Sequence, residues 1–421
     1  MRRRGLALLT ATTAIIAALP AGTARSGAPK LPVVAIGAPE GIVDEPKRPA
    51  TMRVFDHRGR EDYGGQIGIK TRGHSSQNDP KRSYALDTRK RSGENRNVSL
   101  LGMPADDDWV LIASYKDESL LRNRVAYSAA RRLGRYAPRT RLVGVTVNGS
   151  YEGVYLLAEK LKLHESRVDV DDSDVSGGYL LQMISTERTG GQEFFTTPVE
   201  SQPIVYADPD RDDLSYGRAA WIRDYVGRFE RRLYGDRFTD RRRGYRRYLD
   251  MDAAVDFVLL NELFRNADTF RNSTYMHKGV GGELVLGPLW DFDHALGNAG
   301  DPDFNLLTGW QYQSRNSYRW VERLYADPAF RRLIATRWRD LRSRRLIRHI
   351  KRTIDRGARQ LAGAQKRNFS RWPVFGTDAA YPDDPRTGAP PANHAQAVDY
   401  LKWWVVRRSK WIDRNVNNLR P

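Results

Sequence analysis

Asn266-Ala-Asp268-Thr-Phe-Arg-Asn272, followed after two short apolar runs by Trp290-Asp291-Phe292-Asp293, is the chemically richest stretch of the chain. Two carboxylates and a carboxamide near strand ends suit a divalent metal and the phosphate tail of a nucleotide. Hard cations such as Mg²⁺ take oxygen ligands and use few protein carboxylates when substrate phosphates supply the rest. Upstream, residues 251–264 (MDAAVDFVLLNELF) read as a strongly buried helix that delivers the chain into Asn266. Downstream, residues 273–278, a turn over 279–282 and residues 283–289 read as a hairpin ending on Trp290-Asp291. This order of elements places the polar residues at one end of a sheet.

Toward the N-terminus, Ile67 and Ile69 alternate with small or polar residues, and Ser83 to Leu86 suggests a partner strand. Between them lies a loop with Gly73, Ser75 and Ser76, closed by Pro80-Lys81-Arg82. Backbone N–H groups of such a loop can cover phosphates, with Lys81 as a point charge on them. Residues 106–112 form a short apolar strand or helical turn after an acidic run, and an amphipathic helix runs from Ser119 to a stop at Gly134. Asp117 and Glu118 stand ready to cap that helix or to pair with Lys81. The clearest hairpin is 142–157, where two alternating apolar strands flank Asn148-Gly149. Residues 176–184 form a further strand, 185–215 read as loops, and 216–233 as a helix whose Trp221, Tyr225 and Phe229 are core packing. Helices follow from Val321 to about Leu361, and after a Pro-rich break a last helix carries Trp403, Trp404 and Trp411.

The chain holds 421 residues, no cysteine and a formal net charge of +19, and only 13 of its 70 basic residues are lysine. Without cysteine, disulfides and thiolate chemistry are excluded. The positive field favours polyanions, including an anionic cell-wall polymer, with no motif for sequence-specific nucleic acid recognition. Arg2 to Arg4, an apolar run over 6–19 and small residues before Arg25 match a secretory signal over 1–24, so the expected address is extracytoplasmic. The remaining division expected is a linker or edge segment over 25–50, a sheet-rich lobe over 51–215 and a helical lobe over 216–421.

Taken in order, Arg72-Gly-His-Ser-Ser76 with Pro80-Lys81, Ser119-Leu-Leu-Arg-Asn123, Gly153-Val-Tyr-Leu-Leu-Ala-Glu159, Asn266-Ala-Asp268 with Arg271-Asn272, and Trp290-Asp-Phe-Asp293 with Gly297-Asn298 resemble the spore coat protein H (CotH) kinase family. The resemblance implies an α+β, kinase-like two-lobed fold, with an antiparallel sheet lobe followed by a larger, mostly helical one. It further implies transfer of the γ-phosphoryl of ATP to hydroxyls of a protein acceptor. Asp268 then orients or deprotonates the attacking hydroxyl, Asn272 and Asp291 hold Mg²⁺, and Asp293 shares the metal or orients Asp291. Lys81, Ser75 and Ser76 would contact the nucleotide, with Glu159 or Glu118 as the ion-pair partner of Lys81 and with Lys70 and Lys160 as alternative lysines. Ordinary protein kinases place the loop Asn five residues after the Asp and follow the metal Asp with Phe-Gly; here the spacing is four, and Phe292 precedes Asp293. Two other functions fit the sequence: a noncatalytic kinase-like surface protein that binds a cell-wall polymer or coat partner through its basic face, and a glycoside hydrolase with paired carboxylates.

Overall fold

A computed structural model describes residues 30–314, 319–377 and 383–420; the signal segment expected over 1–24 lies outside them. Seven strands form a closed barrel: β1 (Val33–Gly37), β2 (Arg48–Phe55), β3 (Glu61–Arg72), β4 (Ser83–Arg89), β5 (Asp108–Ile112), β6 (Thr140–Val147) and β7 (Ser150–Glu159). Helix α1 (Arg122–Arg132) lies between β5 and β6 in the chain. Neighbouring strands are antiparallel except β1 and β6, which pair in parallel and close the ring. The stretch expected as linker or edge therefore supplies a barrel strand, with Val34 and Ile36 buried inside.

Between β6 and β7, Asn148 (φ 48°) and Gly149 (φ 81°) both adopt positive φ, as a primed two-residue turn requires. Period-two alternation on β5 and β7 sorts their side chains into two cores. Trp109, Leu111, Tyr155 and Leu157 fill the barrel, while Val110, Ile112, Val154, Leu156 and Ala158 join α1 in a second, larger core. Burial on both faces makes these strands continuous apolar runs.

A second sheet has the order β12-β11-β8-β10-β9, built from β8 (Tyr179–Met183), β9 (Phe194–Thr196), β10 (Pro203–Asp208), β11 (Thr274–Lys278) and β12 (Val285–Leu286). β9 and β10 fall in the stretch expected as loops. β10 reads Pro-Ile-Val-Tyr with all four residues buried, so it lacks the alternation that marks a half-exposed strand. Although β8 to β10 precede residue 215, β8 hydrogen-bonds to β11. Helices α2 (Tyr216–Tyr234) and α3 (Met251–Phe264) precede β11. α4 (Arg319–Ala326), α5 (Pro328–Ser343), α6 (Leu346–Leu361), α7 (Ala364–Arg371) and α8 (His394–Asn415) follow β12. Among the described residues, no helix is long and apolar enough to cross a membrane.

His277 on β11 has a buried Nδ1 that no hydrogen bond satisfies, and burial pulls the imidazole down to about 4 from an ordinary 6.5. The unfolded chain therefore binds a proton that the folded one refuses between these values. Its contribution to stability is complete above about 6.5 and is lost as pH falls toward 4, by at most about 3 kcal/mol. Denaturant unfolding across that interval should show a smaller acid loss for His277→Gln than for the parent chain; equal slopes would refute the assignment.

Candidate active site at the end of α3

Helix α3 is buried on every side from Ala253 to Phe264, with its polar members Asp256, Asn261 and Glu262 paired, so packing holds it as a fixed platform. Asp250 caps its start by accepting the N–H of Ala253 at 2.8 Å. At its end Arg265 turns left-handed (φ 48°), its N–H bonding the Asn261 carbonyl while its guanidinium donates to the carbonyls of Thr308 and Gly309. The chain leaves the helix here and enters the Asn266–Asn272 loop.

Asn266 staples this loop to the second acidic segment. Its Oδ1 accepts the N–H of Asp268 at 3.1 Å, and its Nδ2 donates to the Asp291 carbonyl at 3.1 Å. Asn272 donates from Nδ2 to Asp268 Oδ1 at 3.3 Å and accepts the Ser185 N–H at 2.9 Å, pinning the segment after β8 to the same loop. Ser273 Oγ donates to Asp291 Oδ2 at 3.1 Å. Asp291 itself is left-handed (φ 63°), a conformation that short polar side chains tolerate better than most and that recurs at functional sites.

The first turns of α1 grip the segment from the other side. Asn123 Oδ1 accepts the Phe292 N–H at 2.7 Å and the Tyr127 hydroxyl at 3.1 Å, and its Nδ2 donates to Asp293 Oδ1 at 2.8 Å. Arg122 Nε donates to the Ala295 carbonyl at 3.1 Å, and Asn298 Nδ2 donates to the Asp293 carbonyl at 2.7 Å. Trp290 stacks on Tyr127 with centroids 5.9 Å apart.

Asp268, Asp291 and Asp293 are thus collected in one locked constellation. Burial, reinforced by the Asp293 carboxylate, pushes the Asp291 carboxyl up to about 6. Burial also raises Asp293, against hydrogen bonds from Asp291 and Asn123. Asp268 is raised by burial and then by Asp291, while Arg188, 3.9 Å from its Oδ1, opposes the shift. Asp291 and Asp293 lie close enough for each to shift the other, and together with the Asn272 amide oxygen, which keeps a lone pair beyond its bond to Ser185, they could offer hard oxygen donors to a cation.

Beside this group a cleft of about 450 Å³ opens between the barrel and the second sheet, lined among others by Arg72, Val110, Gln182, Tyr206, Tyr275 and Trp290. The Arg72 guanidinium lies over the Trp290 ring at 5.1 Å.

The family model described as CotH kinase protein matches residues 69–412. The chain belongs to the CotH family. A kinase-like function in general and a two-lobed, atypical protein-kinase-like α+β architecture come with that membership, and the barrel followed by the helix-rich part agrees with it. Among solved structures, the complex of the Shewanella oneidensis MR-1 toxin antitoxin system HipA, HipB and its operator DNA is similar at 13% identity and a TM-score of 0.27, over 84% of this chain and 65% of that one. A likeness this remote carries no argument. No curated protein matches the chain.

Four CotH motifs meet at the site: the end of β3 brings Arg72, the start of α1 brings Asn123, and the two acidic segments face each other. The other nucleotide-contact expectations are met differently. Lys81 is 2% exposed, and its ammonium donates to the carbonyls of Ala113 (2.7 Å) and Val154 (2.5 Å) and to Asn368 Oδ1 (3.2 Å), 4.7 Å from the Tyr155 ring centroid. None of Asp268, Asn272, Asp291 or Asp293 is among these partners, and burial lowers the amine to about 7. Packing of α7 against β7 uses up its donors, so Lys81 acts here as an internal tether. Glu159 is fully buried and binds the Arg139 backbone, the Arg139 guanidinium and the Tyr136 hydroxyl, not Lys81. Ser76 sits in a short 3-10 turn (Ser75–Asn78) that His74 joins to Arg72 and Gly73, while the Ser75 side chain lies outside the described part. Of the alternative lysines, Lys70 pairs with Glu45, and Lys160 lines the cleft 3.6 Å from Asp108.

Sequence reasoning gave no role to Arg72, Asn123, Asn266 or Arg188. The first two lay inside quoted motifs, and Asn266 stood two residues before Asp268. Arg188 had no signal, since it arrives from a polar loop far away in sequence. A further acidic group, Asp106, Asp107 and Asp108, places its carboxylate oxygens within 4.8 Å of one another. Lys47, Lys160, Lys162 and Arg167 already neutralise it, so it has no electrostatic need of a metal.

Proposed function

We propose that this chain is an exported kinase that transfers the γ-phosphoryl of ATP to protein hydroxyls with Mg²⁺. The observation that carries the proposal is the stapling of Asp268 to the Asp291–Asp293 segment through Asn266, at the edge of a cleft. Asp291 and Asp293, with the free lone pair of Asn272, would hold Mg²⁺, which neutralises phosphate charge when bound. Asp268 accepts a hydrogen bond from the acceptor hydroxyl and takes its proton as the hydroxyl oxygen bonds to the γ-phosphorus and the bond from that phosphorus to the bridging oxygen breaks, with ADP leaving. The affinity of Asp268 for protons, raised by burial and by Asp291, suits that task, and Arg188 beside it limits the rise.

Arg72 takes the position expected of Lys81. Its guanidinium lines the cleft beside Trp290 and offers a fork to phosphate oxygens, while Trp290 and Tyr275 present apolar surface to a base. Phosphoryl transfer depends on positioning and charge neutralisation, so this small set is sufficient.

Incubation of the protein with γ-labelled ATP and Mg²⁺, with and without chelator, tests the reading. Label on the protein or on an added acceptor is expected only without chelator. Asp268→Asn should lower transfer by about 10²- to 10⁴-fold while nucleotide affinity stays within a few-fold, because only the proton acceptor is removed. Absence of both label and nucleotide binding in the parent chain would leave a noncatalytic surface protein as the better account. A chelator-insensitive hydrolysis of glycosides would favour the paired-carboxylate alternative.

A further inference from the structure

Strand β8 reads Tyr-Leu-Leu-Gln-Met and buries every residue except Gln182. Register fixes its neighbours: Gln182 stands opposite Val205 of β10 and opposite Tyr275 of β11. Directly opposed residues of antiparallel strands project from one face, so Val205, Gln182 and Tyr275 form a row, and all three line the cleft. The alternate residues Leu181, Met183 and Ile204 turn the other way into the large core. On the barrel side the cleft presents Val110 of β5 and Leu161, just after β7.

The fold uses its buried glutamines as donors: Gln202 Nε2 bonds the carbonyls of Ile184 and Pro203, and Gln311 Nε2 that of Asn266. Among the described residues, the Gln182 carboxamide has no hydrogen-bond partner, although it carries two N–H donors and a carbonyl acceptor. Such an amide, set between an aliphatic and an aromatic side chain and facing a second apolar wall, suits a flat ring that presents a donor beside an acceptor. Its place along the strand agrees. Ser185, three residues beyond Gln182, gives its N–H to Asn272 of the Asp268 loop at 2.9 Å, so no more than about 11 Å of chain separates Gln182 from a residue that touches that loop. Tyr275, next in the row, shares the cleft with Arg72 and Trp290. A ring held at Gln182 can thus extend a phosphate tail toward Arg72 and the carboxylates.

We infer that Gln182 reads the base of the bound nucleotide: its Oε1 accepts the exocyclic amine of adenine, and its Nε2 donates to the neighbouring ring nitrogen. This assignment rests on the cleft holding a nucleotide. Val205, Gln182 and Tyr275 carry no charge at neutral pH, so the row suits a neutral ring, and the phosphates fall to the charged residues.

Titration calorimetry of the full chain in the presence of Mg²⁺ provides the test, with ATP, 2′-deoxyATP, tripolyphosphate and purine riboside 5′-triphosphate, which lacks the exocyclic amine. The parent protein should bind ATP at least about tenfold more tightly than the amine-free analogue. In Gln182→Leu that preference is expected to shrink to within about threefold, through weaker ATP binding. Tripolyphosphate affinity should stay within about twofold of the parent, because the phosphate end is a separate set of contacts. Gln182→Glu, which keeps the shape and loses the donor, should also weaken ATP, and it keeps the test valid should leucine perturb the strand. Unchanged ATP affinity in both variants, an equal loss for ATP and tripolyphosphate, or a loss confined to the preference for ATP over 2′-deoxyATP would each overturn the assignment. Those results leave the nucleotide reading of the cleft standing, whereas a parent chain that binds neither ATP nor tripolyphosphate removes both.

Discussion

Asp291→Asn is expected to lower phosphoryl transfer by roughly 10³-fold or more, the scale on which removal of a charge-stabilising group acts. Asparagine keeps the size of the side chain, accepts the Ser273 hydroxyl and tolerates the left-handed backbone at φ 63°. It removes one negative charge from a partly buried group in which Asp291 and Asp293 repel each other and Asp268 feels the same field. The substitution should therefore leave the melting temperature unchanged or slightly raised while activity disappears. That combination separates a site residue from a structural one, because a loop-capping carboxylate would lose stability when neutralised. Transfer at the parental rate would end the metal assignment of Asp291, and a large fall in melting temperature would show that the carboxylate is there to hold the loop.

Asp117→Ala is expected to lower unfolding free energy by about 3 to 5 kcal/mol, the cost of leaving one member of a buried ion pair without its partner. Asp117 and Arg122 are each 1% exposed and paired with each other. Asp117 also accepts the N–H groups of Ser119 at 3.0 Å and Arg122 at 2.8 Å, and the Ser119 hydroxyl at 2.6 Å, so one carboxylate sets the start of α1. Arg122 carries the effect onward through its bond to the Ala295 carbonyl, and Asn123 sits directly after it. Denaturant unfolding measures the loss. Where folding survives, the variant should also bind nucleotide less well than its stability alone accounts for, because the grip of α1 on the Asp293 segment loosens. A loss below about 1 kcal/mol would mean that Arg122 is satisfied by carbonyls alone.

How much of the site is readable in the chain depends on the range over which each contact acts. Asp268 and Asn272 are four residues apart, and their mutual bond is a local event that spacing predicts. Asp291 ends a short hairpin that returns to the same loop, so its approach to Asp268 follows from two elements adjacent in sequence. Asn123 reaches Asp293 across 170 residues, and nothing in the periodicity of either segment records that contact. Lys81 illustrates the converse: a lysine between two strands reads as a phosphate ligand until α7, almost 300 residues later, brings Asn368 onto it.

By itself the sequence determined which segments are strands and helices wherever one face is apolar or a turn demands special residues, as at Asn148-Gly149, α2 and α3. It also determined the order of acidic and amide side chains from Asn266 to Asp293, because that order is covalent. Tertiary structure alone decided that β1 closes the barrel beside β6, that β8 to β10 join β11, and that Arg72 and not Lys81 lies at the cleft next to the carboxylates. The physical reason is that a buried cation settles where the packed chain leaves acceptors for it. Those acceptors exist only once distant strands and helices have met.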